Sequence, residues 1–228
     1  MVKIGIPLRY NHLPDGRCIL YLGERTRRTI QKAGGFVVPI VQPQDVDYCD
    51  TKWNEFMELT DHDKLSIDTY LDMVDGVLFP GGHKVTPFDK YLLERCIERD
   101  IPTLGICLGL QLMSCYKEDF QVYLNETNIN HFQERDDDFT HKVSIDKSSL
   151  LYKILGKEEI IVNSFHRYHI SENPFYDVCA ISEDGFIEGI EMKDKKFHLG
   201  IQWHPEISYE FDSDSKKIID EFIKICGK

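Results

Sequence analysis

Hydrophobic positions in the first half of the chain fall in short unbroken runs, at Lys3–Pro7, Phe36–Ile40, Gly76–Phe79 and Pro102–Ile106. Runs that stay apolar on successive residues, instead of alternating, belong to strands covered on both faces. Between them lie stretches of helical periodicity ending near Gly34, Met73 and Asp100. This alternation predicts an α/β fold with a flavodoxin-like, doubly wound, mostly parallel sheet. The pattern then changes. Short strands at His141–Asp146, Ile160–Asn163, Asp177–Ser182, Ile187–Met192 and His198–Gln202 follow one another with little helix between, which predicts an added antiparallel portion. A last helix over Ser213–Cys226 places Ile218, Ile219, Phe222, Ile223 and Cys226 on one face for packing against the sheet. There is no internal repeat and no low-complexity linker, and 228 residues suit one domain spanning 1–228.

Charge and composition narrow the function. A net charge of −12 argues against nucleic acid or an anionic membrane as partner, because phosphate-rich surfaces need a basic footprint. No run is long enough for a membrane span, and the opening residues enter a strand without a secretory apolar region, so a soluble, cytoplasmic protein is expected. Seven cysteines without CxxC pairs or metal-ligand spacing fit reduced thiols better than a disulfide framework, and neither a metal nor a cofactor is expected. The charge run Glu134–Asp138 lacks the spaced ligands and glycine of a calcium loop and reads as a solvated segment. Five of the nine arginines, Arg9, Arg17, Arg25, Arg27 and Arg28, crowd the opening stretch. They read either as a solvated helix face with Glu24 and Arg28 paired at i,i+4, or as an anion-binding rim.

The strongest chemical signal is Cys107, flanked by Gly105 and Gly109, where an apolar strand turns directly into an amphipathic helix. Such a turn holds a side chain above the sheet edge, and the helix N-terminus beside it favours negative charge, both of which suit a reactive thiolate. A cysteine nucleophile needs a base and a group to orient that base. Gly200–Glu206 encodes both: His204 ends a strand, Pro205 forces a turn, and Glu206 comes back toward the imidazole. Gly81 and Gly82, at the end of the preceding strand, and the amide of Leu108 are candidate oxyanion donors. His166 and His169 offer two histidines without a third ligand at metal spacing, so His166 is assigned to substrate or structure and His169 to structure. Trp203 and Tyr209 read as walls of the site or as core, and Lys84–Asp89 as a loop able to shape selectivity.

In order, Pro80-Gly-Gly, Gly105-Ile-Cys-Leu-Gly-Leu-Gln111, Val162-Asn-Ser-Phe-His166 and Gly200-Ile-Gln-Trp-His-Pro-Glu206 resemble the motifs of class I glutamine amidotransferase-like proteins, and within them the γ-glutamyl hydrolase branch that includes γ-glutamyl-γ-aminobutyrate hydrolases. The resemblance runs from Lys3 through Glu206. It implies a triad of Cys107, His204 and Glu206, an oxyanion hole from Gly82 and Leu108, and a glutamyl-binding set of Gln111, Asn163, Ser164, Phe165 and His166. It also implies cleavage of a γ-glutamyl C–N bond through a thioester, with a small γ-glutamyl conjugate as substrate. Relatives acting on γ-glutamyl-γ-aminobutyrate often have an arginine after the nucleophile and a Gly-Gly pair after the elbow helix, where this chain has Leu108 and Cys115–Phe120. The chemistry is therefore better specified than the amine. Arg25 and Arg28, if they line the site, call for an anionic leaving group, either a carboxylate amine or a phosphoramidate nucleotide such as γ-glutamyl-CDP-amidate. The competing expectations are a glutaminase serving a synthetase, against which no synthetase domain is present, and a catalytically silent binding protein. A homodimer is left open.

Overall fold

The computed structural model describes residues 1–52, 55–133, 135 and 139–228. Glu134 and Asp136–Asp138, most of the acidic run, lie outside them. The chain opens with β1 (Val2–Pro7), a hairpin of β2 (Arg9–His12) and β3 (Cys18–Tyr21), α1 (Glu24–Lys32) and β4 (Gly35–Ile40). It continues with α2 (Asp61–Asp72), β5 (Gly76–Phe79), α3 (Pro87–Glu98), β6 (Thr103–Ile106) and the short α4 (Leu108–Met113). Then come β7 (Tyr123–Leu124), β8 (His141–Ile145), α5 (Leu150–Leu155), β9 (Glu159–Val162), β10 (Tyr168–His169), β11 (Asp177–Ser182), β12 (Ile187–Glu191), β13 (His198–Ile201), α6 (Pro205–Ser208) and α7 (Ser213–Cys226).

Nine strands form one sheet in the order β4-β1-β5-β6-β13-β12-β11-β8-β9. From β4 to β13 the pairings are parallel, and from β13 to β9 antiparallel. The fold is thus the mixed α/β architecture expected from the change of pattern near His141. Side chains alternate faces along each strand. Ile4, Ile6, Leu78, Leu104, Ile106 and Leu199 pack with Ile30 of α1, Leu151 of α5 and Ile218 and Phe222 of α7. Val77 and Phe79 pack with Ile67 and Leu71 of α2, Leu92 and Leu93 of α3 and Leu110 of α4. The central strands β5, β6 and β13 are buried at every position, which is why β5 and β6 read as apolar runs.

Helix starts are chemically specified. Thr60 with Asp63 and Thr86 with Asp89 form reciprocal capping boxes on α2 and α3. The Glu191 carboxylate on β12 accepts from the amides of Leu150 and Leu151, seating the first turn of α5 against the sheet.

Three expectations need correction. Cys18 and Cys49 form a disulfide; their Cα atoms are 5.8 Å apart although 31 residues separate them in sequence. The five other cysteines are free and buried. Glu24 pairs with Arg27 one turn on, at 2.6 Å, while Arg28 lies 3.8 Å from Glu210. The segment after β1, read only as arginine-rich, is a hairpin. Among the described residues no helix is long and apolar enough to cross a membrane.

Candidate active site

Strand β6 ends at Ile106, and Cys107 turns the chain into α4 with φ of 53° and ψ of −104°. A positive φ at a residue bearing a Cβ is strained, and the surrounding packing holds it. Cys107 N–H donates to the carbonyl of Ile201 on β13 at 2.8 Å. The flanking glycines are required by contact. A Cβ on Gly109 would lie 2.3 Å from the carbonyl oxygen of Phe79, and one on Gly105 would lie 2.5 Å from Met113 Sδ and 2.8 Å from the Gly109 carbonyl carbon. The elbow can therefore sit tight against β5 only without side chains at those two positions.

The loop after β5 crosses the elbow. A Cβ on Gly81 would be 3.1 Å from His204 Cε1 and 3.7 Å from Cys107 Cβ, and one on Gly82 would be 3.0 Å from Leu108 Cδ2. Arg9 secures this loop from below. Its guanidinium is buried, donates to the Pro80 carbonyl at 3.1 Å and pairs with Asp89 at 2.6 Å, the same Asp89 that completes the α3 capping box. Arg9 thereby separates from Arg25 and Arg28, which lie exposed on α1. Lys84 donates to the Thr51 carbonyl at 2.6 Å and lies over the rings of Tyr10 and Phe56.

Opposite the elbow, His204 follows β13 and precedes α6. Its Nδ1 is 2.8 Å from Glu206 Oε1, so a carboxylate that only accepts fixes the proton on Nδ1. Nε2 is buried and, among the described residues, has no hydrogen-bond partner, which leaves it for the thiol. Burial opposes charge on this ring, but the Glu206 carboxylate and the Cys107 sulfur outweigh it and hold the imidazole pKa well above its ordinary value. Helix α1 supports the carboxylate side: Thr29 Oγ1 donates to the Glu206 carbonyl at 3.0 Å.

The segment after β9 holds the base from behind. Asn163 Nδ2 donates to the His204 carbonyl at 2.8 Å, and Asn163 Oδ1 accepts from the His204 N–H at 2.8 Å. The ring of Phe165 stands edge-on to the His204 imidazole, centroids 5.5 Å apart. Ser164 is fully buried; its N–H donates to Gln133 Oε1 at 2.6 Å and its hydroxyl to the His131 carbonyl at 2.8 Å. His166 turns away into a buried group with His131 and Glu188. Gln111 Nε2 is 3.3 Å from both the Tyr168 carbonyl and Gln202 Oε1. Of the residues assigned to the glutamyl head, Phe165 lies against the His204 ring, whereas the side-chain atoms of Asn163, Ser164 and His166 bond to the protein.

His169 stacks on Phe186 at 4.0 Å, Trp203 is buried core, and Tyr209 donates to Asp220 at 2.7 Å. A cavity of about 370 Å³ beside Lys90, Glu94, Cys115 and Lys117 includes none of Cys107, His204 and Glu206 in its lining. Sequence reasoning missed Arg9 as the anchor of the glycine loop, Gln133 as the partner of Ser164, and Gln202. The signal for Arg9 was composition alone, and Gln202 lies within the Gly200–Glu206 motif without a role that spacing could assign.

The sequence pattern of the family described as Peptidase C26 matches residues 88–206, just over half of the chain. The putative glutamine amidotransferase-like protein YvdE of Lactococcus lactis is 31% identical over 184 residues, covering 69% of this chain and 76% of the relative. Among solved structures, a putative GMP synthase subunit from Thermoplasma acidophilum superposes with a TM-score of 0.68 at 20% identity, covering 100% of this chain and 94% of the other. The glutaminase domain of Trypanosoma brucei CTPS with bound acivicin gives 0.67 at 16% identity, covering 100% and 94%. These structural likenesses speak for the fold, and the sequence matches for the lineage. The chain belongs to the Peptidase C26 family of class I glutamine amidotransferase-like proteins.

Proposed function

We propose that the protein is a cysteine hydrolase that cleaves the γ-glutamyl C–N amide bond of a small conjugate through a γ-glutamyl thioester on Cys107. The observation that carries this reading is the conjunction of a strained elbow cysteine with a histidine whose Nδ1 is fixed by Glu206 at 2.8 Å. Cys107 Sγ attacks the amide carbonyl while His204 Nε2 holds the thiol proton. Amides of Gly82 and Leu108 receive the oxyanion, each such donor being worth about 100- to 1000-fold in turnover. The C–N bond then breaks, and His204 passes its proton to the leaving nitrogen. His204 next takes a proton from water, the hydroxide adds to the thioester, the C–S bond breaks, and glutamate leaves with the sulfur restored.

Glutamate release from a panel of γ-glutamyl amides tests the reading: glutamine, γ-glutamyl-γ-aminobutyrate and γ-glutamyl phosphoramidates, for wild type and Cys107→Ala. Cys107-dependent release from a conjugate well above that from glutamine supports a γ-glutamyl hydrolase. The phosphoramidate arm examines Arg25 and Arg28: reversing both charges should raise KM for anionic leaving groups alone. A second reading, a glutaminase serving a synthetase, is favoured by the sequence likeness to the CTP synthase of Thermus thermophilus, 30% identical over 245 residues, covering 90% of this chain and 41% of that relative. It predicts low turnover of glutamine until such a partner is added.

A further inference from the structure

Behind the catalytic histidine, four side chains from separate parts of the chain converge. His131 precedes β8, His141 opens β8, His166 follows β9 and Glu188 lies on β12. All four are nearly inaccessible, with relative exposures of 4, 3, 4 and 0%. His131 Nδ1, His141 Nε2 and His166 Nε2 lie 3.4, 3.5 and 3.2 Å from Glu188 Oε1, and His131 Nδ1 is 3.1 Å from His166 Nε2.

The outward nitrogens settle which atoms carry protons. His131 Nε2 is 2.9 Å from Asp184 Oδ2 and His166 Nδ1 is 3.0 Å from the Tyr168 carbonyl; both oxygens only accept, so both nitrogens donate. His141 Nδ1 is 3.1 Å from Thr140 Oγ1, which accepts its proton when the hydroxyl is turned to the Val162 carbonyl 3.4 Å away. In neutral imidazoles the three inward nitrogens are then bare lone pairs aimed at a carboxylate. Both Glu188 oxygens and His141 Nε2 lack hydrogen-bond partners among the described residues. Acceptors meeting in a dry interior are stabilised by a positive charge between them, a shared proton or a metal ion.

We propose that His131, His141 and Glu188, whose ligand atoms all lie within 4.8 Å of one another, bind a first-row divalent transition metal of the zinc class, with His166 Nε2 beside them at 3.2 Å from Glu188 Oε1. Ligand atoms about 2.0–2.1 Å from a tetrahedral zinc are about 3.3–3.4 Å from one another; His131 Nδ1 and His141 Nε2 lie 3.4 and 3.5 Å from Glu188 Oε1, and the three atoms fall within 4.8 Å of one another. The oxygen acceptors on the outer nitrogens match the second shell that orients metal-bound histidines. The other convergence of this kind among the described residues, Cys18, Asp47 and Cys49, is exposed, with both sulfurs spent in the disulfide. Buried among these elements, the metal is structural: it pins β8, β12 and the segment before β8, to which Ser164 and His166 bond next to the Asn163 that clamps His204. Sequence spacing cannot show such a site, because its ligands come from separate parts of the chain.

The inference is independent of the hydrolase reading and is tested on the intact protein by metal analysis. Purified protein should contain close to one equivalent of a transition metal. After dialysis against a chelator, Zn²⁺ should raise the melting temperature, and Co²⁺ should give the intense visible absorption of a four-coordinate ion without a thiolate charge-transfer band. Glu188→Gln and His141→Ala should abolish that spectrum, Asp184→Asn should weaken Zn²⁺ binding about 10- to 100-fold, and Cys107→Ala should leave it intact. Because the cobalt spectrum is read on wild type, a misfolded variant does not obscure the answer. Failure of wild type to bind either ion, a thiolate band, or a spectrum unaffected by Glu188→Gln would overturn the proposal and leave a proton-sharing histidine cluster.

Discussion

Replacing Asn163 by alanine distinguishes positioning from substrate binding. Both polar ends of its amide are spent on His204, each at 2.8 Å, and Asn163 itself is only 1% exposed. The variant strands the N–H of His204, an unmatched buried donor costing about 1–3 kcal/mol, and leaves its carbonyl with the Ile207 N–H alone. Relaxation of that peptide shifts the imidazole relative to Cys107, and a displacement of about 1 Å in a catalytic group costs on the order of 100-fold in rate. We therefore expect turnover to fall about 100-fold with KM within about 3-fold of wild type, a lower melting temperature, and a matching loss in the rate at which Cys107 is alkylated by a glutamine-like electrophile. Asn163→Asp keeps the acceptor and loses the donor, so it should fall between the two. Steady-state glutamate release supplies both constants, and the alkylation rate needs no knowledge of the substrate. A KM raised 10-fold or more with turnover preserved would refute the positioning role and return Asn163 to the glutamyl pocket.

Further expectations follow from the same geometry. Glu206→Gln removes the charge that fixes Nδ1 of His204 and should lower turnover about 100- to 10,000-fold while the fold persists, as circular dichroism would show; near-normal turnover would remove Glu206 from the triad. Gly109→Ala places a Cβ 2.3 Å from the Phe79 carbonyl, a main-chain atom that cannot rotate away, and should cost about 3 kcal/mol or more in urea unfolding. Gly156→Ala meets open space at φ of 69° and should cost only about 1 kcal/mol. Burial lowers the pKa of His198 to about 3, with the Tyr176 hydroxyl 2.9 Å from its Nε2. The unfolded chain takes up that proton near pH 6.5 and the folded one does not, so stability should decline as pH falls from about 6.5 to 3, by up to about 5 kcal/mol. His198→Phe should be less stable at neutral pH but flatter over that window, and an equal slope in both proteins would show that His198 does not carry the acid limb.

The parts of this protein legible in its sequence are those where local pattern and tertiary environment agree. Strands β5 and β6 are buried on both faces and show it as apolar runs, and α7 shows its one buried face at helical spacing. Cys107 was legible because its glycines are demanded by backbone contacts within the same turn and with the adjacent strand. The β2–β3 hairpin was not, since Arg9 is its one buried position and its other side chains are polar or only partly covered. Asn163 illustrates a subtler gap. The motif marks it as part of the site, but only the fold shows that its amide closes on the main chain of His204, 41 residues away. The Cys18–Cys49 bond and the histidine–glutamate cluster were invisible for a related reason: each is assembled by topology from residues whose spacing carries no signal.

The central claim is covalent catalysis by Cys107 on a γ-glutamyl carbonyl. The most direct test is to mix enzyme with γ-glutamyl amides, quench in acid during turnover and search digested protein by mass spectrometry for the acyl adduct. Covalent catalysis predicts a γ-glutamyl group on Cys107 in wild type, persisting longer when the second step is slowed, and absent from Cys107→Ala. Glutamate release with no adduct on Cys107, or release retained by Cys107→Ala, would contradict it.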